Sequence, residues 1–183
     1  MKRRRFLEVG FAVTISTPLM ISTPLMAQNE PAKPFWVDAD KSRFGENLGG
    51  GSRNDLKVSG KDTNGHWAMF ELYSRAKTGP ALHIHFDQDE TVNILEGEYL
   101  YQIGDEKRRF KTGDTIFIPR GTPHAFLYLG EGTGRKLSIY QPANNIEEMF
   151  RKVGQIKELT PENIQAAMMV NNSKVVGGML KAD

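Results

Sequence analysis

The chain has 183 residues, 24 of them lysine or arginine and 22 aspartate or glutamate, for a formal net charge of +2, and it has no cysteine. Without thiols there is no disulfide framework, no thiolate nucleophile and no cysteine-ligated metal, and an oxidising compartment poses the chain no thiol problem. With residues 1–27 set aside, 20 basic residues face 21 acidic ones and the net charge is −1. Those bases are interleaved with acids, which excludes the concentrated basic surface of a nucleic-acid binder.

Residues 1–27 read as an export signal peptide: a basic start at Lys2 to Arg5, an apolar stretch broken by Pro18 and Pro24, and a small residue, Ala27, at its end. The stretch contains the tandem repeat ISTPLM, whose prolines and hydroxyls make a poor transmembrane helix. Arg3-Arg4-Arg5-Phe6-Leu7 resembles the twin-arginine signal. The expectation is a periplasmic or secreted bacterial protein, exported by the Tat or Sec route, with no stable membrane span once the leader is removed.

Residues 28–55 are polar, with Pro31, Pro34 and a triple glycine at 49–51, and read as an extended arm whose anchors are Phe35, Trp36 and Phe44. Those aromatics are placed to pack on the chain's own barrel or on a neighbouring subunit, which leaves a homodimer open. From 56 to 142 short apolar runs recur at roughly eight-to-twelve-residue spacing. They are WAMFELYS, ALHIHF, TVNILE, YLYQIG, KRRF, TIFIP, AFLYL and KLSIYQ, separated by glycine, proline and aspartate turns. This predicts an all-β, antiparallel double-stranded barrel, with hairpins around Gly104-Asp105 and around Thr112-Gly113-Asp114. Residues 143–183 form a C-terminal helical extension. Ile146, Met149, Phe150 and Val153 recur at helical spacing. A second helix starts at Thr160 as N-cap with Pro161 in its first turn and runs to about Val170, turning Ile164, Ala167 and Met168 inward.

Three of the four histidines fall in two glycine-bounded segments, GPALHIHFDQDETVNILEG and GDTIFIPRGTPH. On a strand, side chains two apart share a face, so His83 and His85 aim both imidazoles to one side. Glu90 opens the next apolar run, and His124 follows a proline-glycine turn. Imidazole with carboxylate suits one divalent first-row transition metal, Mn, Fe, Ni, Cu, Co or Zn. His66 lies outside both segments and reads as an ordinary surface or core residue.

The spacing is specific: Gly79, three residues, His83-x-His85, four residues, Glu90, six residues, Gly97; then Gly113, five residues, Pro119-x-Gly121, two residues, His124. It resembles the two motifs of the cupin superfamily. The resemblance implies a jelly-roll barrel (double-stranded β-helix), carrying here the N-terminal arm and the short C-terminal helices, with His83, His85, Glu90 and His124 as metal ligands. Barrels of that family are commonly dimers. Two departures are visible: the gap after Gly79 is shorter than the usual five, and Tyr128 stands where the second motif often ends in asparagine.

Such a site leaves coordination positions open for a small-molecule ligand or substrate. Glu90 is the candidate catalytic base. Metal-dependent quercetin dioxygenases are similar in ligand set, which implies a dioxygenase acting on a phenolic or enolisable molecule. Alternatives are a metal-dependent sugar or keto-acid isomerase or epimerase, for which no second base is visible at a strand centre, and a non-enzymatic envelope protein that binds a small molecule or metal. By strand parity Val92 and Ile94 share the face of Glu90, and Phe126 and Tyr128 that of His124, making these four the candidate pocket walls or barrel core. Arg120, in the turn before His124, is a candidate partner for an anionic substrate.

Overall fold

The computed structural model describes residues 33–49 and 52–182, so the leader expected at 1–27 lies outside the described residues. Ten strands and two helices follow in the order β1 (Asn54–Val58), β2 (Ala68–Ser74), β3 (Ala81–His85), β4 (Asp89–Glu96), β5 (Glu98–Ile103), β6 (Glu106–Lys111), β7 (Thr115–Ile118), β8 (His124–Tyr128), β9 (Gly134–Gln141), α1 (Ile146–Gly154), α2 (Pro161–Met169) and β10 (Ser173–Met179). The strands pair antiparallel in two sheets, β1-β2-β9-β4-β7 and β10-β3-β8-β5-β6. Apart from the pairs β1-β2 and β5-β6, each strand lies in the opposite sheet from the one before it, so the chain winds a double-stranded β-helix.

Period-two alternation sets what faces inward. On β4, Glu90, Val92 and Ile94 are buried; on β9, Gly134, Lys136, Ser138 and Tyr140 are. Register aligns these into layers: Glu90 lies opposite Tyr140 and Ile118, Val92 opposite Ser138 and Ile116, and Ile94 opposite Lys136. In the other sheet His124 lies between His83 and Ile103, Phe126 opposite Tyr101, and Tyr128 opposite Tyr99. One end of the interior is therefore a histidine layer. The rest is a cluster of Val92, Ile94, Tyr99, Tyr101, Ile116, Ile118 and Tyr128.

Two motif glycines have steric reasons. A Cβ on Gly79 would collide with the backbone carbonyl of Phe126, so a side chain there would push β8 away. Gly97 turns the chain from β4 into β5 at φ +96, a left-handed conformation side chains resist, and its bare face receives the Tyr128 ring. Gly130 and Gly134 complete that ring's seat. Tyr128 thus fills the barrel at the end away from the histidines.

The C-terminal helices form as the periodicity predicts. Thr160 caps α2 by accepting from the Asn163 backbone N–H, and Ala167 and Met168 are buried. Ile146, Met149 and Met168 pack with Phe70 and Tyr140 in a second core cluster.

Three expectations are corrected. The turn at Thr112-Gly113-Asp114 does not close a hairpin: the Gly113 N–H donates to the Ile94 carbonyl, and the chain crosses from β6 in one sheet to β7 in the other. The last segment is not purely helical, because β10 pairs with β3 and sets Ser173 opposite His85. The arm is held by Leu48, which is buried in the core, rather than by its aromatics: Trp36 is 86% exposed and Phe44 51%. Phe35 lies under the Arg43 guanidinium, and Arg43 pairs with Asp62.

Candidate metal centre

β3 sends His83 and His85 to the inner face, and β8 sets His124 directly opposite His83. Ring centroids are 4.3 Å apart for His83 and His124, 5.1 Å for His83 and His85, and 5.4 Å for His85 and His124. One ring nitrogen from each lies within 4.8 Å of the others, a spacing at which the three can hold a metal ion.

Hydrogen bonding decides which nitrogen is free. His83 Nδ1 is 2.9 Å from the Ala81 carbonyl and His124 Nδ1 is 2.9 Å from the Thr122 carbonyl. A carbonyl only accepts, so both Nδ1 atoms carry hydrogen and both Nε2 atoms present lone pairs. His85 Nδ1 lies 2.7 Å from Ser173 Oγ, whose own hydrogen goes to the Asn171 carbonyl. Ser173 therefore accepts from His85, and the third Nε2 is free as well.

Glu90 reaches this group from the opposite sheet. Its Oε1 accepts from Ser138 Oγ at 3.1 Å and Tyr140 Oη at 3.2 Å. Its Oε2 stands 3.3 Å from His124 Nε2 and 4.0 Å from His85 Nε2. In a neutral His124 with its hydrogen on Nδ1, Nε2 and Oε2 would oppose lone pair to lone pair, and that nitrogen is buried without a hydrogen-bond partner. A cation between them would convert the repulsion into two ligand bonds, so the residues fit a metal.

The electrostatics match. Burial drives the His83 imidazole well below its ordinary value, with His124 and His85 adding to the effect, and it pushes His85 down to about 4 against the pull of Glu90. Burial also opposes ionisation of Glu90, but His124, His85 and Lys136 outweigh it and hold the carboxyl well below the usual range. Neutral His83 and His85 imidazoles beside an ionised carboxylate are protonation states that suit a metal. The Arg120 guanidinium is engaged by Asp89, at 2.8 and 3.0 Å, and braces the turn before His124 against the start of β4.

The Cupin domain family model matches residues 69–140, the stretch that builds this centre. The chain belongs to the cupin superfamily. This cupin is 31% identical over 101 residues to an uncharacterized protein of Aquifex aeolicus, covering 55% of this chain and 81% of that one. It is 26% identical over 102 residues to a quercetin 2,3-dioxygenase of Bacillus subtilis, covering 56% of this chain and 30% of the dioxygenase. A third relative, an uncharacterized protein of Methanocaldococcus jannaschii, is 45% identical over 49 residues, 27% of this chain and 39% of that one. The chain therefore spans well under half of the dioxygenase and of the Methanocaldococcus protein. Among solved structures, a predicted oxalate decarboxylase from Thermotoga maritima is similar with a TM-score of 0.48 at 18% identity, over 50% of this chain and 80% of that one.

The cupin's interior also holds residues that the motifs do not reveal. Of the four candidate wall residues, Val92, Ile94 and Tyr128 lie in the packed cluster and Phe126 is half-buried against it. Behind His85, Ser173 and Asn171 continue a buried chain of hydrogen bonds: Asn171 Nδ2 donates to Gln88 Oε1, and Gln88 Nε2 donates to the carbonyls of Pro142 and Ala143. Lys136, 1% exposed, projects into the barrel from β9. A lysine at a strand centre was not visible by pattern, because KLSIYQ reads as apolar-inward with its lysine outside. His66 is exposed, away from the centre.

Proposed function

We propose that this cupin is a metal-dependent dioxygenase acting on a small phenolic or enolisable molecule, with His83, His85, His124 and Glu90 as ligands. The observation that carries the reading is the setting of Glu90, whose Oε1 is fixed by Ser138 and Tyr140 while Oε2 faces the histidines. A hydroxyl bound to a divalent ion is acidic enough for a weakly basic carboxylate to take its proton. With a metal held by the three imidazoles, Oε2 would take that proton once substrate had displaced it from the ion, and the two donors on Oε1 would keep the group oriented as it did so. Buried aliphatic and aromatic side chains around the layer below exclude water from the step. Similarity to the quercetin 2,3-dioxygenase supports oxygen chemistry. The test is elemental analysis of the purified protein followed by assays of phenols and enolisable oxo compounds with and without air. Product formation that continues unchanged under anaerobic conditions removes the dioxygenase reading.

Lys136 favours a second reading, a metal-dependent isomerase or epimerase. The interior does contain a second group able to exchange protons, which an isomerase needs and the sequence pattern hides. That reading expects anaerobic exchange of substrate carbon-bound hydrogen with solvent deuterium.

We further propose that the mature protein works in the periplasm or outside the cell. N-terminal sequencing of material from a periplasmic fraction, with a start near Gln28, is the expected result. The described residues contain no helix long and apolar enough to cross a membrane.

A further inference from the structure

Lys136 is the buried group that the proposed dioxygenase chemistry leaves unused. It leaves β9 on the same inner face as Ser138 and Tyr140, the two residues that hold Glu90. Its backbone pairs with Ile94, two inward positions along β4 from Glu90. The side chain then runs over the Phe126 ring, with Nζ 2.9 Å from the centroid, and donates to Tyr101 Oη at 3.2 Å. Phe126 follows His124 by two residues on β8, and Tyr101 is its cross-strand partner. The amine therefore sits in the layer adjoining the histidines.

Aromatic rings and one hydroxyl surround the amine, but no carboxylate pairs with it directly. A lysine ammonium has three donors; among the described residues one is used, and no carboxylate lies within 4.0 Å. Burial pushes the amine down to about 7 even with Glu90 pulling the other way. Core filling does not explain the choice, since Leu137 and Ile139 of the same strand turn outward while Lys136 and Ser138 turn in. Tyr101 Oη accepts the lysine's hydrogen, which leaves its own O–H free to donate to something else.

We infer that the substrate carries a second, negatively charged oxygen remote from the metal, and that Lys136 with the Tyr101 hydroxyl receives it. The class is an oxo acid or hydroxy acid with a distal carboxylate or oxyanion, one end on the histidine centre and the other on Nζ. This rests on the reading of that centre as a metal site, and holds for the dioxygenase or the isomerase.

The probes are 2-oxoglutarate and 2-oxopentanoate, which share the metal-chelating oxo-acid end and chain length but end in a carboxylate and a methyl group respectively. They are titrated into the full chain loaded with Co(II), followed by its visible absorption. The expected result is a preference for 2-oxoglutarate of about tenfold or more, the range of a charge-assisted hydrogen bond. In Lys136→Met that preference falls to within about twofold, with Co(II) content and 2-oxopentanoate affinity unchanged. Equal affinities in the unsubstituted chain, or a preference that survives in Lys136→Met, overturn the inference. The comparison in the unsubstituted chain decides alone if the variant does not fold. Failure to take up Co(II) overturns the metal reading first, and this inference with it.

Discussion

Ser173→Ala tests whether the tautomer argument describes a working metal site. Ser173 is 1% exposed, accepts the His85 Nδ1 hydrogen at 2.7 Å and passes its own hydrogen to the Asn171 carbonyl at 3.1 Å. Removing Oγ leaves His85 with two poor options. It can keep hydrogen on Nδ1, buried and unpaired, at about 1–3 kcal/mol. Or it can move that hydrogen to Nε2 and lose the lone pair aimed at the metal. Loss of an outer-shell partner of this kind lowers metal affinity roughly 10- to 100-fold, or about 1.4–2.7 kcal/mol. The measurement is a chelator competition titration with Zn(II) or Co(II), alongside thermal unfolding to establish that the variant is folded. Ser138→Ala is the control: it removes one of the two hydrogen bonds to Glu90 Oε1 and leaves that of Tyr140, so its effect on affinity is expected to be smaller. A folded Ser173→Ala protein that binds metal as tightly as the unsubstituted chain would show that His85 does not depend on Ser173 for a ligating tautomer.

Glu90→Gln preserves shape but removes the proton acceptor, so turnover should fall by roughly 10²–10⁴; a variant with metal bound and full turnover would assign the base elsewhere. Gly134→Ala places a methyl against the Tyr99 hydroxyl and the Tyr128 ring and should lower stability by about 1–3 kcal/mol by chemical denaturation. In protein stripped of metal, stability should rise with pH across two windows. His85 binds a proton in the unfolded chain below 6.5 but in the native state only near 4, so stability is lost as pH falls through that interval, and Glu90, depressed in the native state, adds loss of the same sign below 4.5. Lys136 is protonated in the unfolded chain up to 10.5 but in the native state only below about 7, so stability should climb above pH 7. The climb ends near pH 10, where the buried tyrosines, raised above their ordinary value of 10.0, begin to favour the unfolded chain. Denaturation series of the unsubstituted and Lys136→Met chains check this, since only the former should show the rise above pH 7.

The strands that carry the centre were readable because each is short, apolar and bounded by a turn residue with a steric task. Gly79 admits the Phe126 backbone, Gly97 turns β4 into β5, and His83-x-His85 needs only period two to aim both rings inward. β1 and β10 were not readable: NDLKV and SKVVGGM are charged or glycine-rich and take their strand form from pairing with β2 and β3. Ser173, which fixes a ligand 88 residues away, is invisible for the same reason, since its partner is set by register and not by local pattern.

Lys136 shows why an interior of this kind resists pattern reading. The usual rule turns apolar residues in and polar residues out, and for β9 it would bury Leu137 and Ile139. The register with β4 does the reverse: Tyr140 lies inward, packed in the core and donating to Glu90, and parity carries Ser138 and Lys136 inward with it. That register fixes the facing of the whole strand, since a slip of one residue would flip every side chain. The inversion is unfavourable for folding on its own terms: it leaves two aliphatic residues half-covered on the outer face and an amine inside the barrel without a direct ion pair. β9 breaks the binary pattern at two successive inward positions, Lys136 and Ser138, in the same barrel interior as the three histidines, and the proposed binding of a charged substrate accounts for both.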